Sequence, residues 1–142
     1  TEMFCEYVNK YNYNGKARAI HCISLACHNE SYQKQICKQL KDLDIGVIIC
    51  PSAAISMTQH NEMTSHIHNS IGPVKLMSTY DINIGLGIDN IEDIFMPYCD
   101  GNFEFELRLL AESSRTYEPS ILQKIATNPM GFKELEKEYF YI

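Results

Sequence analysis

The sequence contains no apolar run approaching the roughly 20 residues needed to cross a bilayer, which excludes a membrane-spanning helix. Its amino terminus, TEMFCEYVNKY, lacks the basic start and apolar stretch of a secretory signal. Basic residues are scarce: 12 Lys and Arg stand against 18 Asp and Glu, for a net charge of -6. Nucleic-acid binding needs a basic surface to displace counterions, so a phosphate-backbone partner is excluded. There is no internal repeat and no low-complexity tract. The six cysteines, at 5, 22, 27, 37, 50 and 99, lack the dense spacing of a disulfide scaffold and read as reduced core thiols. Cys22, Cys27 and His28 lie close together, yet no second ligand pair follows at a finger-like spacing, which favours small core side chains over zinc. These absences point to a cytoplasmic chain with neither nucleic acid nor membrane as partner.

What is present fits one α/β domain over residues 1–142, with 45% hydrophobic residues available for a core. Phe4, Tyr7, Val8 and Tyr11 recur at helical spacing, and Asn14 with Gly15 closes that segment. Residues 17–25 read as a strand buried on both faces and carrying His21; 31–43 read as a surface helix; 45–50 read as a second strand that Pro51 ends. The polar stretch 52–70, with His60, His66 and His68, reads as a long loop with at most a short helical turn. Helix 72–80, strand 81–88 and helices 103–113, 119–127 and 132–139 complete the alternation. On 103–113, Phe103, Leu107 and Leu110 define the apolar side. Alternating strands and helices predict a parallel sheet with crossover connections.

The third strand is the most informative. It ends in Asp89, and the chain then turns through Asn90, Asp93, Pro97, Asp100 and Gly101. Carboxyl ends of parallel strands are where α/β folds keep their chemistry, so Asp89 is a candidate functional carboxylate. Its bland alternative is an N-cap for the following helix, and that of His21 is a core histidine satisfied by backbone. The pair Gly85 and Gly87 precedes the strand end, and Asn90 stands where a third glycine belongs, so a dinucleotide loop is disfavoured. Tyr139 to Tyr141 read as a helix end packing on the core.

Four stretches, AIHCISLA (19–26), IGVIICPSAAISM (45–57), INIGLGIDNIEDIFMPYCDGN (82–102) and ILQKIATNPMGF (121–132), resemble the amidohydrolase superfamily, in particular its cytosine deaminase-like branch. The resemblance implies a partial TIM barrel: strands six, seven and eight and the closing helices. By it, Asp89 corresponds to the strand-eight aspartate, a metal ligand that also accepts a proton from activated water. His21 corresponds to the strand-six histidine, which lies beside that water or binds a second metal, and Asn90, next to the aspartate, is a candidate to face a ring nitrogen or exocyclic group of the substrate. The implied cofactor is a divalent metal, zinc or iron, which brings the pKa of bound water towards 7. The implied reaction is hydrolysis of a C–N bond in a small nitrogen heterocycle such as cytosine.

The family's His-x-His pair on strand one and histidine on strand five have no counterpart before His21 in this sequence. His66 and His68 form a His-x-His, but in a polar loop where a pair without a rigid scaffold is expected to face solvent. The expectation is therefore the C-terminal part of a barrel, inactive in isolation, which covers its open sheet edges by homo-oligomerisation. The alternative is a non-catalytic α/β module that folds and oligomerises without a catalytic metal.

Overall fold

The structure, a computed structural model, describes residues 1–57 and 71–128. Its described elements run α1 (Glu2–Lys10), β1 (Arg18–Ile20), α2 (Ile23–Ala26), α3 (Glu30–Asp42), β2 (Gly46–Ile49), α4 (Pro51–Ser56), α5 (Val74–Thr79), β3 (Ile84–Leu86), α6 (Phe103–Ser114) and α7 (Pro119–Ala126). The strands form a parallel sheet in the order β1-β2-β3. The predicted partial α/β barrel, with parallel strands alternating with helices, is what the chain adopts. The predicted helix 132–139, the tyrosines near the carboxyl end and His60, His66 and His68 lie outside the described residues.

The β-branched run 46–49 becomes the central strand because it can bury both faces: Val47 and Ile49 are fully buried, and Ile48 is half-buried. Ala19, Val47 and Ile84 pair laterally and are all buried. Their face packs against Cys5 and Val8 of α1, Ile36 and Leu40 of α3, Val74 and Met77 of α5 and Ile125 of α7. On the opposite face, Ile20, Ile48 and Gly85 share a rung. Among the described residues, a small cluster of Cys50, Ala53 and Met96, with Cys99 beside it, packs against Ile48 there. Ile20 is accordingly 49% exposed. One face carries the core and the other is thinly covered, the arrangement of a wall cut from a barrel.

Four local expectations change. The strand read as 17–25 ends at Ile20, because His21 and Cys22 take φ values of 64° and 53°. Cys22 N then donates back to Ile20 O at 2.7 Å, closing a tight turn around His21, and Ile23–Ala26 is helical. As the edge strand, β1 is buried on alternate residues instead of on both faces. On α1 the aromatic stripe faces outward: Cys5 and Val8 dock, whereas Tyr7 and Tyr11 stack on each other at 6.0 Å, with Lys10 over both rings. On α6 the buried side is Glu106 and Leu110, and Phe103 is exposed.

Helix starts follow side-chain chemistry. Asn29 Oδ1 accepts from Tyr32 N at 3.0 Å, and Asn102 Oδ1 accepts from Phe105 N at 3.0 Å, each satisfying an otherwise orphaned amide of α3 or α6. At the amino ends of the strands, Asp81 receives Lys41 at 3.2 Å and Lys124 at 2.7 Å, joining α3 and α7 to the turn before β3.

Gly72 lies against the turn at His21: a Cβ there meets His21 O at 2.7 Å and Ile49 Cδ1 at 2.9 Å. Gly72→Ala should therefore cost about 1–3 kcal/mol, read as a lower urea midpoint, because backbone and core must both give way. An unchanged midpoint contradicts this close approach.

Burial, above all other influences, pushes the Cys22 thiol up to about 11 and the Cys37 thiol up to about 12, from 9.0. Native thiols then keep protons that unfolded thiols release, so stability falls as pH rises above 9.0, the ordinary thiol value. The urea midpoint should decline through that alkaline range, and Cys37→Ala should flatten the decline. An equal slope in the variant removes the thiol as its cause.

Candidate active site

The parallel register aligns the carboxyl ends of the strands, so His21, Cys50 and Asp89 leave the sheet side by side. His21 N donates to Ile48 O at 2.7 Å and Gly87 N donates to Ile49 O at 2.8 Å, carrying the ladder up to these residues. Close approach at Gly87 is required: a Cβ there meets Cys50 Sγ at 2.8 Å and Ile48 Cγ2 at 2.9 Å.

His21 Nε2 lies 3.4 Å from Asp89 Oδ2, with side chains 26% and 41% exposed. The two residues bracket the central strand and meet over its end. Neither bland alternative describes them: Asp89 caps none of the described helices, and the buried His21 Nδ1 has no hydrogen-bond partner among the described residues. His21, Cys22 and Asp89 all have positive φ, at 64°, 53° and 76°. Left-handed conformations at residues other than glycine cost energy and concentrate at functional sites.

Asn90 does not join this pair through its amide nitrogen, which donates to Asp93 Oδ2. Asp93 Oδ1 accepts from Met96 N at 2.8 Å and from Phe95 N at 2.9 Å. Donation from Met96 N foremost holds the Asp93 carboxyl below its ordinary value. A loop organised in this way still presents Ile94, Phe95 and Tyr98 to solvent, at 89%, 74% and 98% exposure.

Glu106 is the residue that sequence reading missed. It is 1% exposed; its Oε2 accepts from Ser52 N at 3.0 Å and its Oε1 accepts from Ser52 Oγ. It thereby caps α4 from α6 and anchors the segment that follows β2. The legible signal was its spacing, since 103, 106 and 110 share one helical stripe and a carboxylate on that stripe needs a buried partner. Cys50, beneath it, has its thiol pushed up to about 12 by burial first and then by the Asp89 and Glu106 charges.

No protein-family model matches this sequence, and no curated protein does. Solved structures do. The 5-methylcytosine deaminase of Klebsiella pneumoniae liganded with 5-fluorocytosine superimposes with a TM-score of 0.75 at 18% identity, over 87% of this chain and 31% of that one. The same enzyme with phosphonocytosine gives 0.74 at 18% identity. The N-isopropylammelide isopropylaminohydrolase of Burkholderia multivorans gives 0.68 at 13% identity, over 87% of this chain and 28% of that one. The chain thus shares the fold of part of the α/β barrel of these proteins. The chain spans just under a third of the length of these relatives.

Among the described residues no three His, Cys, Asp or Glu side chains are grouped to hold a metal ion. Of Cys22, Cys27 and His28, read as core side chains, Cys22 is buried, whereas Cys27 is half-buried and His28 is exposed. His21 and Asp89 offer one nitrogen and one oxygen donor, a type that zinc and iron accept, but catalytic zinc usually takes three protein ligands.

Glu106→Leu keeps similar bulk and removes both acceptors, leaving Ser52 N and Ser52 Oγ unpaired. The expected loss is about 1–3 kcal/mol in urea unfolding, and an unaltered stability removes the capping role.

Proposed function

We propose that this chain supplies the Asp89 and His21 half of the active site of a metal-dependent amidohydrolase acting on a C–N bond of a small nitrogen heterocycle such as cytosine. The observation that carries the reading is the convergence of these two side chains at 3.4 Å over the end of the central strand. The likeness in fold to two enzymes described as a deaminase and an aminohydrolase supports it. Asp89 would hold in part a divalent zinc or iron ion, which would supply the acidification of water. Asp89 Oδ2 takes the proton as water adds to the ring carbon and returns it to the nitrogen as the C–N bond breaks and ammonia leaves, while His21 Nε2, within reach of the same oxygen, orients the attack. Asn90, its nitrogen held by Asp93, keeps its side-chain oxygen for an exocyclic amino group of the substrate.

The same reading includes self-association to cover open sheet edges and the apolar loop, supported by the exposure of Ile94, Phe95 and Tyr98. The reducing cytoplasm suits the six free thiols. One observation favours a second reading, a catalytically silent module: the described residues offer two grouped donors, whereas a catalytic zinc takes three.

The test uses the natural polypeptide that carries this chain, assayed for divalent metal and for ammonia release from cytosine-type substrates. Turnover that Asp89→Asn lowers by about 100-fold or more supports the proposal, that being the usual worth of a positioned general base. Turnover indifferent to Asp89→Asn overturns the role of Asp89. A polypeptide with neither metal nor turnover overturns the hydrolase in favour of the silent module.

A further inference from the structure

Asn14 and Gly15, which close the first helical segment, carry a chemistry that the strand-end site does not use. Among the asparagines of the chain, Asn14 alone is followed by glycine. With no side chain to shield it, the following backbone nitrogen is able to attack the asparagine amide. A bond forms from Gly15 N to Asn14 Cγ, the Cγ–Nδ2 bond breaks, and ammonia leaves with the proton that Gly15 N gives up. Water then opens the cyclic imide at either carbonyl, leaving an aspartyl or an isoaspartyl residue at position 14. The reaction needs no catalyst, but the Gly15 nitrogen must first be released from whatever holds its proton.

The fold holds it. Gly15 N donates to Leu43 O at 3.1 Å, at the residue that closes α3. Lys16 N donates to Tyr13 O at 3.1 Å across the turn, and Gly15, its third residue, has φ 74°, a left-handed geometry that suits glycine. From the far side Arg18 Nη1 donates to Gly15 O at 3.1 Å. Before the turn, α1 is tied to α3 by Tyr32 OH, which donates to Glu2 Oε2 at 2.8 Å. Asn14 itself is exposed, so water reaches the residue while the nitrogen that must attack it stays engaged.

We propose that the seating of Gly15 on the end of α3 makes Asn14 a fold-gated deamidation site, preserved while the turn is docked and converted when the turn opens. The conversion runs one way. An isoaspartyl residue adds one backbone atom, so Gly15 N and Gly15 O no longer meet Leu43 O and Arg18 Nη1 together. Either product also sets a carboxylate beside Gly15, where a Cβ would stand only 3.1 Å from Asp44 Oδ2, and like charge then opposes re-docking. Opening of the turn is thereby written into the chain. The inference is independent of the hydrolase reading, because these residues lie at the amino end of β1, opposite His21 and Asp89.

Peptide mapping with isoaspartate detection tests it, on the natural polypeptide that carries this chain, kept at mildly alkaline pH either native or unfolded in urea. The free peptide of residues 9–18 is the reference. Position 14 should convert in urea at the rate of the peptide, and at least about tenfold more slowly in the native protein, as a reaction gated by local opening requires. Arg18→Ala, which takes a donor from Gly15 O, should raise the native rate about fivefold, the opening equivalent of one hydrogen bond. Tyr32→Phe, which frees α1 from α3 at a distance from the turn, should raise it in the same direction. Equal rates in the native protein and the peptide overturn the gate, and absence of conversion in urea overturns the site. A native rate that neither folded variant raises overturns the seating as its cause. Should both variants fail to fold, the native and urea rates of the parent decide.

Discussion

The pairing of β2 with both of its neighbours is the constraint on which the remaining structure depends. Ala19 opposite Val47, and Val47 opposite Ile84, set the three strands so that their carboxyl ends finish in one row. A slip of one residue at either ladder exchanges the faces, moving Ala19 or Ile84 out of the core and turning His21 or Asp89 away. Core packing and site geometry are therefore secured together: the apolar side chains that forbid the slip also bring an imidazole and a carboxylate to a common point.

Around this row the chain uses backbone bonds and side-chain carboxylates in place of bulk. The turn at His21 is closed by Cys22 N, the loop after β3 is tied by Asp93, and the segment after β2 is held through Ser52 by Glu106. Each device satisfies polar groups that a thinly covered face leaves exposed to desolvation. The result is an ordered strand-end surface on a sheet whose inner side carries only a small apolar cluster.

Much of this was readable from residue order. The β-branched run ending at Pro51 identified a central strand, the isolated aspartate at 89 marked a strand end, and the alternation of periods announced a parallel sheet. What escaped reading has physical causes. Residues 17–25 are mostly apolar, and such a run does not disclose that two of its residues adopt left-handed geometry; the turn at His21 is decided by the ladder to Ile48. The outward aromatic stripe of α1 has the same periodicity as its docking face, so spacing alone could not say which side of the helix packs. Glu106 was hidden because a helical glutamate is ordinarily solvent-facing, and its partner Ser52 is remote in sequence.

The pairing of Asp81 with Lys41 and Lys124 gives the two ends of the sheet different sensitivities. All three side chains are open to water, so mobile ions compete for them, whereas the turns at the other end are closed by short backbone bonds that salt does not weaken. Ionic strength thus acts as a one-sided lever on this molecule, slackening the seam between α3 and α7 while the row of strand ends keeps its shape.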